Sequence, residues 1–189
     1  METSTIQAIM VPLAEYATIN EEATLYEAVK ALEESQERLD RTRYHYLHRA
    51  ILVLNRDNIV VGKLSQLDIL MALEPRYLEL GDVRALAKAG LKPSFIYSVM
   101  EKYSLFDRPL REMCREAAGK KVKELMYSPN TEEYIDVSAP LSEAIHLFVI
   151  GQHQSLLVVE DDEIVGILRL TDVFTEAFQI MTSFDKDIT

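Results

Sequence analysis

Apolar and polar positions follow the same order twice along the chain. Two amphipathic stretches carry apolar side chains at helical spacing, namely Leu25, Ala28, Val29, Leu32 and, later, Leu141, Ala144, Ile145, Phe148. Each stretch is followed by a short apolar run, a polar turn and a second apolar run that crosses Gly62 or Gly166. These runs are too short for helices and rich in branched residues, so they predict buried strands. With a helix beginning near Asp68 or Asp172, the repeating unit is strand, helix, strand, strand, helix.

The two halves of the chain are copies of one another. Matching residues keep a nearly constant spacing, which is 116 positions for Met10 and Met126, 105 for His48 and His153, and 104 for Asp68 and Asp172. The spacing decreases because the first copy is longer. It has 11 extra residues after its first helix and one more further on. Unrelated segments would not stay in step over this length, so the chain is a tandem duplication. Its parts are repeat 1 (residues 1–73), an insertion (residues 74–119) and repeat 2 (residues 120–189).

Helix start signals accompany both amphipathic stretches. Thr24 and Glu27 have the spacing of a capping box ahead of the first stretch. Pro140 precedes the second stretch and suits a first helical turn, where its missing N–H costs nothing. Both stretches are therefore predicted to form helices.

Each repeat ends in a Gly-to-Asp segment, which reads Gly62-Lys-Leu-Ser-Gln-Leu-Asp68 in repeat 1 and Gly166-Ile-Leu-Arg-Leu-Thr-Asp172 in repeat 2. A methionine near the start of the repeat, Met10 or Met126, and an alanine-containing helix precede this segment. In this order the features resemble the CBS domain, named after cystathionine β-synthase, and two in tandem resemble a Bateman module. The resemblance covers residues 5–73 and 120–180.

The resemblance implies an α+β fold and a regulatory function. Two β-α-β-β-α repeats related by a pseudo-twofold axis would pack sheet against sheet, with the insertion forming helices between them. In many members of this family, two clefts between the repeats hold adenine nucleotides or related adenosyl ligands, and CBS domains are not themselves catalytic. Each cleft combines the Gly-to-Asp segment of one repeat with the first segment of the other. Members often form dimers, so a homodimer is expected.

In the first cleft, the resemblance implies ligand contacts from Ser65, Asp68, Arg49, His48 and Ser128. The aspartate commonly binds ribose in this family, and the hydroxyl residue ahead of it contacts ribose or phosphate. A carboxylate at the start of a helix is also favoured by the helix dipole. The alternative to ligand binding is therefore that Asp68 serves only as an N-cap. Arg49 and His48 stand just ahead of an apolar strand, where a basic residue often meets phosphate. Arg49 ranks higher because its charge is permanent.

The second cleft departs from the family pattern. Asp172 and His153 keep their positions, but Arg169 replaces the hydroxyl residue, and Pro12 stands where the first cleft has Ser128. An arginine accepts no hydrogen bond, whereas its guanidinium suits bidentate phosphate binding. This cleft is therefore either blocked or takes a more anionic ligand through Arg169. Because both departures fall on one site, we expect one competent cleft and one degenerate cleft.

Charge is distributed unevenly over the 189 residues. The chain has 31 acidic and 20 basic side chains and a formal net charge of −11, yet residues 74–121 carry 10 basic and only 7 acidic residues. Apolar spacing there predicts two or three short helices, one around Val83, Leu86 and Ala87 and one with Asp107 as N-cap and Leu110, Met113, Cys114 and Ala117 on one face. We expect the insertion to cover an edge of the module or mediate self-association, with a partner-binding surface as the alternative. Cys114 is expected to be a small buried hydrophobe.

Composition excludes several other classes. A hydrophobic content of 48% suits a packed core and argues against disorder. The single cysteine cannot form an internal disulfide, and no cysteine or histidine set has metal-ligand spacing, so no metal is expected. No apolar run approaches the roughly 18 residues of a membrane helix, and no signal peptide is evident, which together predict a cytoplasmic protein. The acidic balance makes nucleic acid an unexpected partner.

The leading functional hypothesis is a non-catalytic regulatory module that signals to a separate protein effector. Its ligand would be AMP, ADP, ATP or S-adenosylmethionine, and it would require no cofactor. No paired carboxylates, activated nucleophile or phosphate loop is evident, so an enzyme is not expected. The alternative is a ligand-free scaffold or adaptor that uses the helical insertion as a protein–protein interface.

Overall fold

The computed structural model of the chain describes residues 5–74, 90, 93–102 and 108–184. Repeat 1 contains α1 (Ile6–Ile9), β1 (Val11–Pro12), a 3-10 turn (Leu13–Glu15), β2 (Thr18–Asn20), α2 (Leu25–Arg38), β3 (Ala50–Leu54), β4 (Val60–Ser65) and α3 (Gln66–Leu73). The insertion contributes α4 (Pro93–Lys102) and α5 (Leu110–Ala118). Repeat 2 contains α6 (Val122–Leu125), a 3-10 turn (Thr131–Glu133), β5 (Tyr134–Asp136), α7 (Leu141–Gly151), β6 (Ser155–Glu160), β7 (Glu163–Arg169) and α8 (Leu170–Ser183). The predicted α+β fold and its repeated order of elements are confirmed.

Two sheets form the centre of the molecule. One has the strand order β2-β3-β4, and the other has the order β1-β7-β6-β5. In each repeat the first long helix connects two parallel strands, β2 to β3 or β5 to β6, and the next two strands form an antiparallel hairpin. This is the arrangement expected when a helix makes the crossover and a short polar turn makes the hairpin.

The first segments of the two repeats are exchanged. We call residues 6–12 and 122–128 the lead segments. Strand β1 pairs with β7 of the other repeat, with Val11 opposite Ile167. The equivalent residue in repeat 2, Tyr127, forms an antiparallel bridge with Lys63 on β4 of repeat 1. Each Gly-to-Asp segment therefore has the lead segment of the opposite repeat beside it.

The hydrophobic cores show the same exchange. Ile6 and Met10 from the lead segment of repeat 1 are buried in the core of repeat 2. Val122 is buried in the core of repeat 1, and Met126 packs against that core. A third cluster joins the two sheets, with Leu52 and the equivalent Leu157 both buried in it. Since burying apolar side chains is the main favourable term in folding, neither repeat completes its core alone.

The long helices begin at capping residues. The backbone N–H of Glu27 donates to the Thr24 hydroxyl, and the Thr24 N–H donates to Oε2 of Glu27 at 2.7 Å, so the predicted capping box is confirmed. Pro140 is the N-cap of α7 and lies just outside the helix. There its ring fixes an extended backbone ahead of Leu141, with φ −70° and ψ 147°.

The insertion packs on repeat 1. Helix α5 contacts α2 and α3, and its Ala117 is buried in the core of repeat 1. Cys114 is exposed, so the expectation of a buried cysteine is wrong, because α5 reaches that core through its C-terminal end. The predicted helix around Val83 and the Asp107 N-cap lie outside the described residues.

Candidate functional site

The first cleft lies where the lead segment of repeat 2 crosses β4. The Lys63 N–H donates to the Tyr127 carbonyl, and the Tyr127 N–H donates to the Lys63 carbonyl, both at 2.9 Å. A Cβ at Gly62 would lie 2.6 Å from Sδ of Met126. The glycine and the methionine of the repeated pattern therefore meet across the two repeats, which explains why the strand has no side chain at this position.

Ser65 and Asp68 form a capping box at the start of α3. Ser65 is the N-cap, and its hydroxyl accepts from the Asp68 N–H at 3.2 Å. Oδ2 of Asp68 accepts from the Ser65 N–H at 2.8 Å and from its hydroxyl at 2.6 Å. The helix thus begins at Ser65, and Asp68 is the acidic member of the box. A carboxylate has about four acceptor positions, so this role leaves it chemically able to accept hydrogen bonds from a ligand.

A buried ion pair that the sequence did not reveal lies in the same cleft. Lys63 shares one face of β4 with Ser65, since side chains two apart lie on the same side of a strand. Its Nζ donates to Oε2 of Glu133, whose side chain is only 2% exposed. Burial raises the pKa of the Glu133 carboxyl, but hydrogen bonds from Lys63 and Tyr127 outweigh burial and leave the pKa below its ordinary value. Glu133 is therefore ionised at neutral pH.

Arg49 and Ser128 border this cleft at different ends. The Arg49 carbonyl accepts from the N–H of Gln66, which places Arg49 beside the start of α3, and its side chain is exposed. Ser128 is exposed and follows the Lys63–Tyr127 bridge, so the antiparallel register brings it level with Gly62. Gly62 is three residues from Ser65, so Ser128 and Ser65 are about 10 Å apart along the strand. Arg49 and Ser128 therefore lie apart from one another, on either side of Ser65.

The second cleft is occupied by its own side chains. Arg169 donates from Nε to Oδ2 of Asp172 and from Nη2 to Oδ1, both at 2.6 Å. Its Nη1 donates to the Tyr46 carbonyl at 3.0 Å and lies 3.2 Å from Nδ1 of His48. The guanidinium has five N–H donors, and these contacts engage four of them. Arg169 is only 4% exposed, so a phosphate would have to break this network to reach it.

His48 belongs to this second cleft, which corrects the expectation that it lies with Ser65 and Asp68. Its ring is fully buried, 4.3 Å from the ring of Tyr16, and faces Arg169. Because an arginine only donates, Nδ1 of His48 must accept, and the ring is neutral with its proton on Nε2. Burial and then the Arg169 charge lower the pKa of His48 to about 4. The exchange of lead segments brings the loop before β3 against the Gly-to-Asp segment of the other repeat.

His153 shows the equivalent arrangement in the first cleft. Its Nδ1 lies 4.0 Å from Oε2 of Glu133, the carboxylate that pairs with Lys63. The sequence placed His153 with Arg169 and Asp172, but the structure places it beside Glu133, the partner of Lys63 in the Gly-to-Asp segment of repeat 1.

Two tyrosines complete the closed side of the second cleft. Burial raises the pKa of the Tyr16 hydroxyl well above its ordinary value. The ring of Tyr44 lies 5.3 Å from the Arg169 guanidinium, and its hydroxyl donates to Oε2 of Glu15 at 2.8 Å. Tyr44 belongs to the 11 extra residues of repeat 1, which was the only signal in the sequence that something additional covers this side.

A cavity of about 640 Å³ opens next to these tyrosines, between the first 3-10 turn, the end of α2 and the extra loop. Its lining includes Glu15, Tyr16, Ser35, Arg38, Arg43 and Tyr44. Arg43 and Glu15 form an ion pair at 3.1 Å at its edge. Neither Ser65 nor Asp68 lines this cavity, so it is separate from the first cleft.

The sequence profile of the CBS domain matches residues 6–75 and 122–181, which is most of the chain. The chain belongs to the CBS-domain family. Each match begins at a lead segment and extends beyond the Gly-to-Asp segment of the same repeat. No curated protein matches the chain.

Solved structures of CBS-pair proteins share this fold. The CBS-pair protein CBSX2 from Arabidopsis thaliana is 20% identical, with a TM-score of 0.60 over 96% of this chain and 99% of that chain. A structure of CBSX2 in complex with AMP is 20% identical, with a TM-score of 0.56 over 94% and 98% of the two chains. An uncharacterized conserved protein from Pyrococcus horikoshii is 17% identical, with a TM-score of 0.56 over 94% and 95%.

Within the described ranges, no group of three or more histidine, cysteine, aspartate or glutamate side chains could hold a metal ion. Among the helices of the same ranges, none combines the length and apolar character needed to span a membrane.

Proposed function

We propose that this CBS pair is a regulatory module that binds an adenine nucleotide in the first cleft. The observation that carries this proposal is the meeting of two segments from different repeats at Lys63 and Tyr127, next to the Ser65–Asp68 pair. A ligand seated there would contact both repeats and would favour the packing in which both sets of contacts are made. The Asp68 carboxylate and the remaining acceptor position of the Ser65 hydroxyl oxygen would both accept hydrogen bonds from the ribose hydroxyls.

The charges around the first cleft favour a monophosphate. Glu133 neutralises Lys63, and Asp68 adds a negative charge near the ribose position. Arg49 then supplies a permanent positive charge beside the start of α3, and its guanidinium suits a phosphate. With Lys63 neutralised, Arg49 is the main positive charge beside the ligand. A monophosphate with two negative charges suits it better than a triphosphate with four. AMP is therefore the preferred candidate, which agrees with the AMP bound to the similar CBSX2, followed by ADP, ATP and S-adenosylmethionine.

We propose that the second cleft is closed and structural. Its Asp172 is held by Arg169, and the guanidinium also contacts the backbone of the opposite repeat through the Tyr46 carbonyl. This link joins the repeats on one side whether or not a nucleotide is bound. Ligand-dependent movement would then be confined to the first cleft.

The module would be non-catalytic and would act on a separate effector protein in the cytoplasm. Self-association as a homodimer is part of this proposal. The adaptor hypothesis, in which the chain binds no ligand and uses the insertion as an interface, is the alternative, and α5 with its exposed Arg111 and Arg115 is the surface that favours it.

Isothermal titration calorimetry with AMP, ADP, ATP and S-adenosylmethionine tests the proposal. We expect AMP to bind with one site per chain, and we expect Asp68→Asn to abolish binding. Asp172→Asn is the matched control at the equivalent position and should leave AMP binding in place. If none of the four ligands binds the wild-type chain, the adaptor hypothesis is favoured, and if only Asp172→Asn abolishes binding, the assignment of the clefts is wrong.

A further inference from the structure

The connection between α2 and β3 is far longer than its counterpart in repeat 2. It spans residues 39–49, whereas residues 152–154 connect α7 to β6. We call residues 39–48 the extra loop. Two of its side chains, Leu39 and Tyr44, are buried in the cluster that joins the two sheets. The extra loop is therefore in contact with both repeats, on the side of the second cleft.

The two edges of the Arg169 guanidinium have different partners. Within the described residues, Nε and Nη2 donate to Asp172. The contacts of Nη1 all go to the extra loop, at the Tyr46 carbonyl and at Nδ1 of His48. The ring of Tyr44 also lies 5.3 Å from the guanidinium. The extra loop thus occupies the edge of Arg169 that does not face Asp172.

A carboxylate at the surface helps to hold the extra loop against repeat 1. Glu15 accepts from Nη1 of Arg43 at 3.1 and 3.2 Å and from the Tyr44 hydroxyl at 2.8 Å. The side chains of Glu15 and Arg43 are both 46% exposed, and ion pairs exposed to water contribute little to stability. The cavity of about 640 Å³ lies beside these residues, so the extra loop is not closely packed on this side. Release of the loop here would leave the pair of Arg169 and Asp172 intact.

We propose that the extra loop is a lid over a latent phosphate site in the second cleft. When the lid is released, the Tyr46 carbonyl and the His48 ring leave Nη1 of Arg169, and its two N–H groups become available to a ligand. Arginine N–H donors suit phosphate oxygens, and two of them suit a group with several such oxygens, such as a diphosphate. Asp172 keeps the other edge of the guanidinium and holds it in position.

This inference goes beyond the proposed AMP site, which lies in the first cleft. Arg49, the residue after the extra loop, borders that cleft, and its carbonyl accepts from the N–H of Gln66. Movement of the extra loop would therefore end at Arg49. Calorimetry with AMP tests the first cleft separately, so the failure of one proposal leaves the other standing.

Hydrogen exchange measured by mass spectrometry tests whether Glu15 holds the extra loop. Glu15→Ala removes the partner of Arg43 and of the Tyr44 hydroxyl, so we expect residues 39–48 to exchange faster than in the wild type. Glu163→Ala removes an exposed carboxylate of β7 and is the matched control, which should leave exchange in the loop unchanged. Equal exchange in Glu15→Ala and the wild type overturns the proposal.

Calorimetry with inorganic diphosphate tests for the latent site. We expect Glu15→Ala to bind diphosphate about tenfold more tightly than the wild type or Glu163→Ala, because any diphosphate bound at Arg49 would be present in all three. In Glu15→Ala, diphosphate should also slow hydrogen exchange at residues 169–172, which locates the ligand without altering the buried Arg169. A loop that exchanges faster without a gain in diphosphate binding overturns the proposal. So does an equal gain in Glu163→Ala, which would reflect only the overall charge of the chain.

Discussion

The guanidinium of Arg169 and the carboxylate of Asp172 form a bidentate ion pair, with both N–O distances at 2.6 Å. At the equivalent positions of repeat 1, Ser65 and Asp68 form a capping box whose hydroxyl and carboxylate oxygens are also 2.6 Å apart. The same backbone position thus holds either a small hydroxyl that donates to the carboxylate or a long cation that pairs with it. A single change of residue type, from serine to arginine, therefore replaces a capping box with an ion pair.

Transferring the arginine to repeat 1 should close the first cleft. Ser65→Arg places a guanidinium where it can pair with Asp68, so we expect AMP binding to be lost while the chain remains folded. Calorimetry measures the binding, and thermal unfolding followed by circular dichroism measures the fold. Ser65→Ala, which removes the hydroxyl without adding a cation, is the control and should weaken binding by about tenfold, the effect of one lost hydrogen bond. Equal losses in the two variants would show that the arginine does not act by occupying the cleft.

The sequence predicted the fold well because its signals are local and repeated. The apolar periodicity of α2 and α7, the capping box at Thr24 and the glycine of each Gly-to-Asp segment all depend on residues close together in the chain. The duplication doubled the apolar periodicity and the glycine, whereas repeat 2 has Pro140 in place of the Thr24 cap.

The parts of the site that the sequence did not predict depend on contacts between distant residues. His48 and Arg169 are separated by 121 positions, and nothing in either repeat indicates that the loop before β3 faces the other repeat. Lys63 and Glu133 are 70 positions apart and have no equivalent pair in the second cleft. Their pairing follows from the exchange of the lead segments, which places Tyr127 opposite Lys63 on β4.

His48 makes the stability of the chain depend on pH. Its pKa is about 4 in the folded chain and about 6.5 when unperturbed, because burial and Arg169 disfavour the charged ring. Between pH 6.5 and pH 4 the unfolded chain binds a proton that the folded chain does not, so the free energy of unfolding falls as the pH decreases through this range. The loss attributable to His48 approaches about 3 kcal/mol at the acidic end.

Urea unfolding measured at several pH values between these limits checks the His48 prediction. His48→Gln retains a hydrogen-bond acceptor but does not titrate, so its unfolding free energy should fall less steeply with decreasing pH. His45→Gln, which changes an exposed histidine of the same loop, should reproduce the wild-type slope. If the unfolding free energies of the wild type and His48→Gln fell equally steeply with decreasing pH, His48 would not be the group responsible.

The equivalent glycines of the two repeats, Gly62 and Gly166, should differ in their tolerance of a methyl group. A Cβ at Gly166 would lie 2.6 Å from the Val11 carbonyl oxygen, which is backbone, whereas at Gly62 the nearest atom is Sδ of the flexible Met126. We expect Gly166→Ala to lower the free energy of unfolding by about 1–3 kcal/mol and Gly62→Ala to lower it less. Gly119→Ala is the control, because no atom lies within 4 Å of its added Cβ. Urea denaturation measures the free energy of unfolding of each variant. A larger decrease for Gly62→Ala than for Gly166→Ala would show that β1 moves more easily than Met126.

Glu133 should control the preference between nucleotides. Glu133→Gln keeps a polar partner for Lys63 but removes the negative charge that neutralises it, so the first cleft gains one net positive charge. We expect ATP to bind about tenfold more tightly and AMP to change less, because the triphosphate carries more charge to interact with Lys63. Calorimetry at low and high salt measures both ligands, and the gain for ATP should shrink as salt screens the charges. Glu132→Gln changes an exposed neighbouring carboxylate and serves as the control. If the two variants alter ATP binding equally, the effect comes from the overall charge of the chain and not from the release of Lys63.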